Sequence, residues 1–271
     1  LLNSLTTRIP IGWLGIRPLT YVVYGGEHSL KLRHPIEGPN TRNIFAHAMD
    51  FDHYLDYLKN PTKVESIAVF IDQYYPFHPD WHGMGLKCPI QPDDYYTTLR
   101  NLFDAVESKT GLNVVIAAHP RSDYENRKDL FGERPFYKGE TEDLIAKSKL
   151  VLFHFSSGIH LAVMHAKPIL QILFRKMHNY SFYESPLKAI KDSFRQAPLY
   201  IDVPVNISGF DFKECLKKDR TETYREYMVN YIKQPSSPNR KFWEIVCDVL
   251  SKDGIFPHSN ITNQNSNSAQ D

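Results

Sequence analysis

Two short stretches carry residues that can do chemistry. In "HFSSGIHLAV" an apolar run ends in Ser156-Ser157-Gly158, and a helix-like apolar pattern begins at once. A strand that feeds straight into a helix leaves backbone N–H groups and two hydroxyls at the helix start, where the helix dipole favours an anion. That is a phosphate cradle built without a lysine; the same residues also suit an ordinary N-cap followed by a packing glycine. In "VVIAAHPRSDYENR" a second apolar run ends at His119-Pro120-Arg121. Proline has no N–H and holds the residue before it extended, so the imidazole stays at the strand end. Such a histidine can donate to a phosphate oxygen or, when protonated, offset charge on a departing nucleotide, and Arg121 can add a forked contact to the same anion. A surface turn with an incidental histidine would give the same letters.

Acids come next. Glu140 stands just before the helix start "TEDLIAKS", where a carboxylate can accept from ribose hydroxyls; Glu142 and Asp143 read as ordinary first-turn acids. Two carboxylates are candidates to deprotonate an attacking hydroxyl: Glu27, after Gly25-Gly26 at a strand end, and Asp72, which closes an apolar strand. Either also suits a helix cap or a structural acid. "FHPDWH" offers His78, Asp80 and His82, and "AHAMDFDHY" offers His47, Asp50, Asp52 and His53. These types suit zinc or iron, but neither stretch matches a ligand motif, and His160 and His165 diverge on a helix, so no metal is expected. The aromatic, proline-bearing "DQYYPFHPDW" reads as a shaped loop of the cleft wall.

The elements that must position these residues follow from hydropathy. "SIAVFID", "NVVIAA", "KLVLFHF", "KPILQIL" and "APLYIDV" read as strands, and "PDDYYTTLRNLFDAVESKTG", "TEDLIAKS" and "SSGIHLAVMHA" as the helices between them. Non-alternating apolar strands interleaved with helices call for a parallel sheet covered on both faces, so a doubly wound, Rossmann-like α/β domain is expected over residues 63–205. In such sheets ligands sit beyond the carboxyl ends of the strands, where Asp72, His119 and Ser156-Ser157-Gly158 all fall. Residues 1–62 read as a short α/β portion with a strand at Thr20–Tyr24 and a helix in "AMDFDHYLDYLKN"; residues 206–256 read as C-terminal helices and the polar 257–271 as a disordered tail.

Composition bounds the partners. The chain has 271 residues, 42% of them hydrophobic, with 32 basic and 31 acidic side chains, which suits a soluble protein of one large or two modest domains. So even a balance gives no general electrostatic reason to bind nucleic acid or membrane, and an anion site must be local. Cys88, Cys215 and Cys247 are odd in number and lack CxxC spacing, so neither a disulfide framework nor a cysteine zinc site is suggested and a reducing cytoplasm is expected. No apolar run is long enough for a membrane span and no secretory leader opens the chain, while the absent initiator Met suggests a processed or trimmed chain.

The order of strand, His119-Pro120-Arg121, acidic helix start, "SKLVLFHFSS", helix and "AKPIL" resembles the nucleotide-binding C-terminal half of GT-B glycosyltransferases, particularly bacterial sialyltransferase-like and capsule or O-antigen enzymes. The resemblance spans about residues 64 to 175. It implies that His119, Ser156 and Ser157 contact the phosphate of a CMP-linked sugar, with CMP-nonulosonates ahead of UDP-sugars as donor. It further implies an inverting, metal-independent transferase without a cofactor, acting in the cytoplasm or at the inner membrane on a glycan or lipid-linked glycan acceptor, with possible contact to an assembly complex. Ala166 stands where related folds often have Gly, only about sixty residues precede the nucleotide domain, and no (Asp/Glu)-(Asp/Glu)-Gly base motif is present. A UDP-sugar epimerase of related fold and a catalytically inactive nucleotide-binding or scaffold component stand as alternatives.

Overall fold

The computed structural model describes residues 13, 15–31, 36–127, 129–202, 207 and 209–255, so the expected tail 257–271 lies outside the described residues. Two compact units make up the chain: residues 1–55 with 229–271, and residues 56–228. This division differs from the expected boundaries at 62, 205 and 256, because the C-terminal helix joins the N-terminal segment whereas the helices before it belong to the sheet domain.

In the first unit, strand β1 (Tyr21–Tyr24) pairs in parallel with β2 (Arg42–Phe45), a strand with no apolar run to announce it. Two strands cannot form a core alone. Ile44 and Ala46 are therefore buried with Ile245 and Val246 of the helix Phe242–Lys252. Asp52 fixes that helix start by accepting from the N–H of Phe242 at 2.8 Å. The chain leaves this unit within helix α1 (Phe51–Lys59).

The second unit is a six-stranded parallel sheet of β3 (Ile67–Ile71), β4 (Asn113–Ala118), β5 (Phe136–Lys138), β6 (Leu150–Phe153), β7 (Ile169–Leu173) and β8 (Leu199–Tyr200), in the spatial order β5-β4-β3-β6-β7-β8. Between the strands run the helices α2 (Asp80–Gly83), α3 (Pro92–Thr110), α4 (Thr141–Lys147), α5 (Ile159–Met164) and α6 (Glu184–Phe194), and after β8 come α7 (Phe212–Lys217) and α8 (Thr221–Tyr227). Each long element begins and ends for a local reason. In α3, Pro92 opens the first turn ahead of Asp93 and Asp94, and Gly111 closes the last with φ 72°. Its apolar stripe, Tyr95, Tyr96, Leu99, Leu102, Phe103 and Val106, is buried.

Strand side chains alternate between two covered faces. Ala68, Phe70, Val114, Ile116, Leu150 and Leu152 share one core with α3 and with Phe212 and Cys215 of α7. Val69, Ile71, Val115, Ala117, Val151 and Phe153 alternate with them and are also buried; α4, α5 and α8 pack together in sequence as the other layer. The expected α/β class and doubly wound parallel sheet are thus present, and the strand order matches the Rossmann arrangement. No described helix is long and apolar enough to cross a membrane.

Candidate functional site

Chains leave β3 and β6 toward opposite sides of the sheet, so a crevice opens beyond their carboxyl ends. A cleft of about 430 Å³ lies there, between polar residues (Gln73, His78, Asp80, His119, Ser156, Ser157) and an aromatic wall that includes Tyr75, Trp81, Phe155 and Tyr183. The loop after β3 does form the wall that its prolines and aromatics suggest: Trp81 donates from its indole N–H to the carbonyl of Tyr75 at 2.7 Å, and the Phe155 and Tyr183 rings lie 4.6 Å apart. Burial, with Cys88 and Asp80 nearby, pushes the Tyr183 phenol up to about 12, so it stays a neutral donor.

His119 is half-buried in this cleft. Pro120 turns the chain directly after it, and the imidazole Nδ1 accepts from the N–H of Arg121 at 3.2 Å. With Nδ1 accepting, the proton of the neutral ring sits on Nε2. Burial lowers the His119 pKa, and His78 and Arg121 lower it further against a smaller opposing pull from Asp80. The free site therefore holds His119 as a neutral Nε2–H donor, in place of the cation that the sequence allowed.

Ser156 and Ser157 line the same cleft, and the way they do so corrects one expectation. The N–H groups at the start of α5 are engaged internally: Gly158 donates to Ser156 Oγ at 3.1 Å, Ile159 to Ser156 O at 3.3 Å and His160 to Ser157 O at 3.1 Å. What faces the cleft is the serine pair itself, whose two N–H groups and Ser157 hydroxyl have no hydrogen-bond partner among the described residues. Gly158 is a turn residue behind them, not a lining residue. The nearest atoms an added Cβ would meet are Ser156 Oγ at 3.4 Å and the Ile71 side chain at 3.5 Å, so the backbone does not require glycine there.

Asp72 is buried and does not line the cleft. One carboxylate oxygen accepts from the N–H of Tyr74 at 2.9 Å; the other accepts from the N–H of His119 at 3.1 Å and the hydroxyl of Tyr124 at 2.8 Å. Removal from water raises its pKa, against which those donors pull downward. It anchors the main chain of His119, and the residue weighed as a proton acceptor stands behind the cleft rather than in its lining. Glu27 belongs to the first unit, at the exposed start of the turn Glu27–Lys31, and is not a lining residue of this cleft. Glu140 is exposed at the carboxyl edge of the sheet, but after β5, two strands from β3. Arg121 is exposed at the rim and reaches Asp80 at 3.4 Å.

Sequence reading thus picked out His119, Ser156 and Ser157 and missed His78 and Asp80 as partners in the same cleft. As individual residues both read as candidate metal ligands, within a loop read as cleft wall; among the described residues no group of three His, Cys, Asp or Glu side chains is placed to hold a metal. No protein-family model matches the chain, and no curated protein matches its sequence.

Proposed function

We propose that this cleft binds a nucleotide-activated sugar through its phosphate and that the protein is a glycosyltransferase of the GT-B kind, with CMP-linked donors ahead of UDP-linked ones and a glycan of bacterial surface polysaccharide as acceptor. One observation carries the reading: at the switch point of the sheet, the Nε2–H of His119 and the donors of Ser156 and Ser157 share one cleft with an aromatic wall. Such a site offers hydrogen bonds to an anion and apolar faces to a base or sugar ring. The chemistry is a single in-line displacement. An acceptor hydroxyl oxygen attacks the anomeric carbon, the bond from that carbon to the phosphate oxygen breaks, and the nucleotide leaves with the electron pair, inverting the centre. His119 and the serine pair stabilise the charge that develops on the phosphate. Asp80, the carboxylate among the lining residues, takes the hydroxyl proton.

The test is a thermal-shift titration with CMP, UDP and GDP on the wild type, on His119→Ala and on the paired Ser156→Ala, Ser157→Ala variant. At about 100 times the dissociation constant, a bound nucleotide adds roughly 2.7 kcal/mol of stability. One nucleotide should stabilise the wild type selectively, with the effect lost in both variants. Equal indifference to all three nucleotides would remove the reading. Assay of sugar release from the stabilising nucleotide's sugar conjugates then identifies the donor.

A further inference from the structure

The cleft contains a second histidine built in the same way as His119. His78-Pro79-Asp80 and His119-Pro120-Arg121 are both His-Pro pairs, and both close a turn with the same two hydrogen bonds. The Trp81 N–H closes on the His78 carbonyl at 3.2 Å, as the Ser122 N–H closes on the His119 carbonyl at 2.9 Å. Proline at the second position favours this turn and supplies no N–H of its own. The next N–H is therefore the one that meets the imidazole: Asp80 donates to His78 Nδ1 at 3.3 Å, and Arg121 to His119 Nδ1 at 3.2 Å. His78 itself has φ −62° and ψ 128°, the extended conformation that a following proline imposes. A third His-Pro pair, His34-Pro35, lies outside the described residues.

The two turns face each other. Their rings stand 5.0 Å apart at 74°, and the residues that fix their Nδ1 atoms, Asp80 and Arg121, are joined at 3.4 Å. That exposed pair contributes little stability, but it ties the loop after β3 to the loop after β4. Both imidazoles line the cleft with Ser156 and Ser157. At His119 the main-chain donor on Nδ1 leaves the remaining proton of the neutral ring on Nε2; at His78 the Asp80 N–H lies 3.3 Å from Nδ1 and the Asp80 carboxylate 3.5 Å from it.

We propose that His78 and His119 form a two-imidazole clamp that grips a single phosphoryl group, each donating from Nε2 to a different non-bridging oxygen, with Ser156 and Ser157 completing the cradle. This rests on the phosphate-binding reading above and adds a specificity: one phosphate next to the reacting carbon, the arrangement of a nucleoside monophosphate sugar. A phosphate between two imidazoles also accounts for a site with no lysine and an arginine only at its rim. Burial and the nearby His78 lower the His119 pKa, so His119 takes part through its neutral N–H.

The experiment is long-range 1H–15N correlation NMR of the 15N-labelled chain, with His78 and His119 assigned by loss of their signals in His78→Gln and His119→Gln. Inorganic phosphate is titrated first, then CMP, UDP and GDP. The expected result is the Nε2–H tautomer for both rings, and signals that move together with one midpoint. His78→Ala should weaken phosphate and CMP binding about ten-fold or more, comparably to His119→Ala. His78→Gln, whose amide nitrogen reaches the Nε2 position, should restore most of that loss. An Nδ1–H tautomer at His78, or a shift of His119 alone, overturns the clamp while leaving nucleotide binding intact. Phosphate that moves both rings, with no nucleotide binding more tightly than phosphate, keeps the clamp and removes the nucleotide reading. Rings that respond to neither remove both.

Discussion

Tyr124→Phe isolates the device that holds the site. The hydroxyl of Tyr124 donates at 2.8 Å to the oxygen of Asp72 that also receives the His119 N–H, and it lies 3.3 Å from the Tyr96 hydroxyl. Phenylalanine keeps the ring, which is buried against Tyr74, Phe131 and Phe136, and removes only the donor. A hydrogen bond to a charged partner is worth about 1.5–3 kcal/mol. In a unit of residues 56–228 each kcal/mol moves the midpoint by roughly 2–4 °C, so the melting temperature should fall by about 3–12 °C. Nucleotide affinity should fall as well, because the His119 main chain loses part of its anchor.

The loss has a pH signature. Burial raises the folded pKa of Asp72 above its ordinary value, while the Tyr124 hydrogen bond lowers it. The bond therefore stabilises the ionised form. Its contribution is full above the variant's still higher folded pKa and is lost as pH falls through the wild-type value, below which Asp72 is protonated with or without Tyr124. Urea unfolding read by tryptophan fluorescence reports this unit selectively, since Trp81 is 6% exposed whereas Trp13 and Trp243, of the other unit, are 84% and 61% exposed. The variant's deficit should shrink as pH falls into the acid range. A deficit below about 0.5 kcal/mol at neutral pH, or one that stays constant into acid, would refute the account.

Other changes follow from the same geometry. Burial lowers His154 to about 4, and its ring lies between Tyr95 Oη at 2.8 Å and Ile172 O at 2.6 Å. A depressed folded pKa gives stability that is full above the unfolded value near 6.5 and is lost as pH falls toward 4, roughly 3 kcal/mol in all; His154→Asn should flatten that part of a stability-against-pH curve. Ala166 has φ 51°, a left-handed conformation unfavourable for a side chain; Ala166→Gly should raise stability by about 1 kcal/mol in urea unfolding. At Gly26 an added Cβ would lie 2.3 Å from the Asn230 carbonyl oxygen, so Gly26→Ala should destabilise the first unit by about 1–3 kcal/mol or more, visible as faster hydrogen exchange there. Gly158→Ala should change neither stability nor phosphate affinity beyond about 0.5 kcal/mol, since its Cβ finds only ordinary contacts.

The parallel sheet was legible because fully buried strands are written as unbroken apolar runs: "IAVFI", "VVIAA", "LVLF" and "ILQIL" each sit inside an observed strand. Short edge pairings escaped for the converse reason. Strand "FYK" is half exposed and "RNIF" buries only Ile44, so neither carries a run or a clean alternation. His119 was readable because it directly follows a buried strand, and the serine pair because it stands just past one, after His154 and Phe155. His78 was legible only as part of a loop of the cleft wall: it stands beyond Asp72 and Gln73, past the short turn Tyr75–Phe77, and nothing in "YYPFHPD" says which side chain of that loop meets His119.

Asp72 shows why its place in the sequence left its role open. A carboxylate at the end of a central strand looks like a candidate base, since that is where ligands bind. What decides the matter is the number of donors that reach it, and these come from three separate segments: its own loop through Tyr74, the turn after β4 through His119, and the later turn Tyr124–Asn126 through the Tyr124 hydroxyl. Burying a charge is costly, and hydrogen bonds of this kind offset the cost only when their geometry is held. The carboxylate and its donors thus constrain one another. His119 is consequently fixed twice, its main chain by Asp72 and its ring by the Arg121 N–H, and no rotation of either alone can carry Nε2 away from the cleft without breaking a bond. A catalytic base needs a lone pair free for substrate; a buried acid with three donors has the opposite qualification, and it serves the site by keeping another residue's donor aimed.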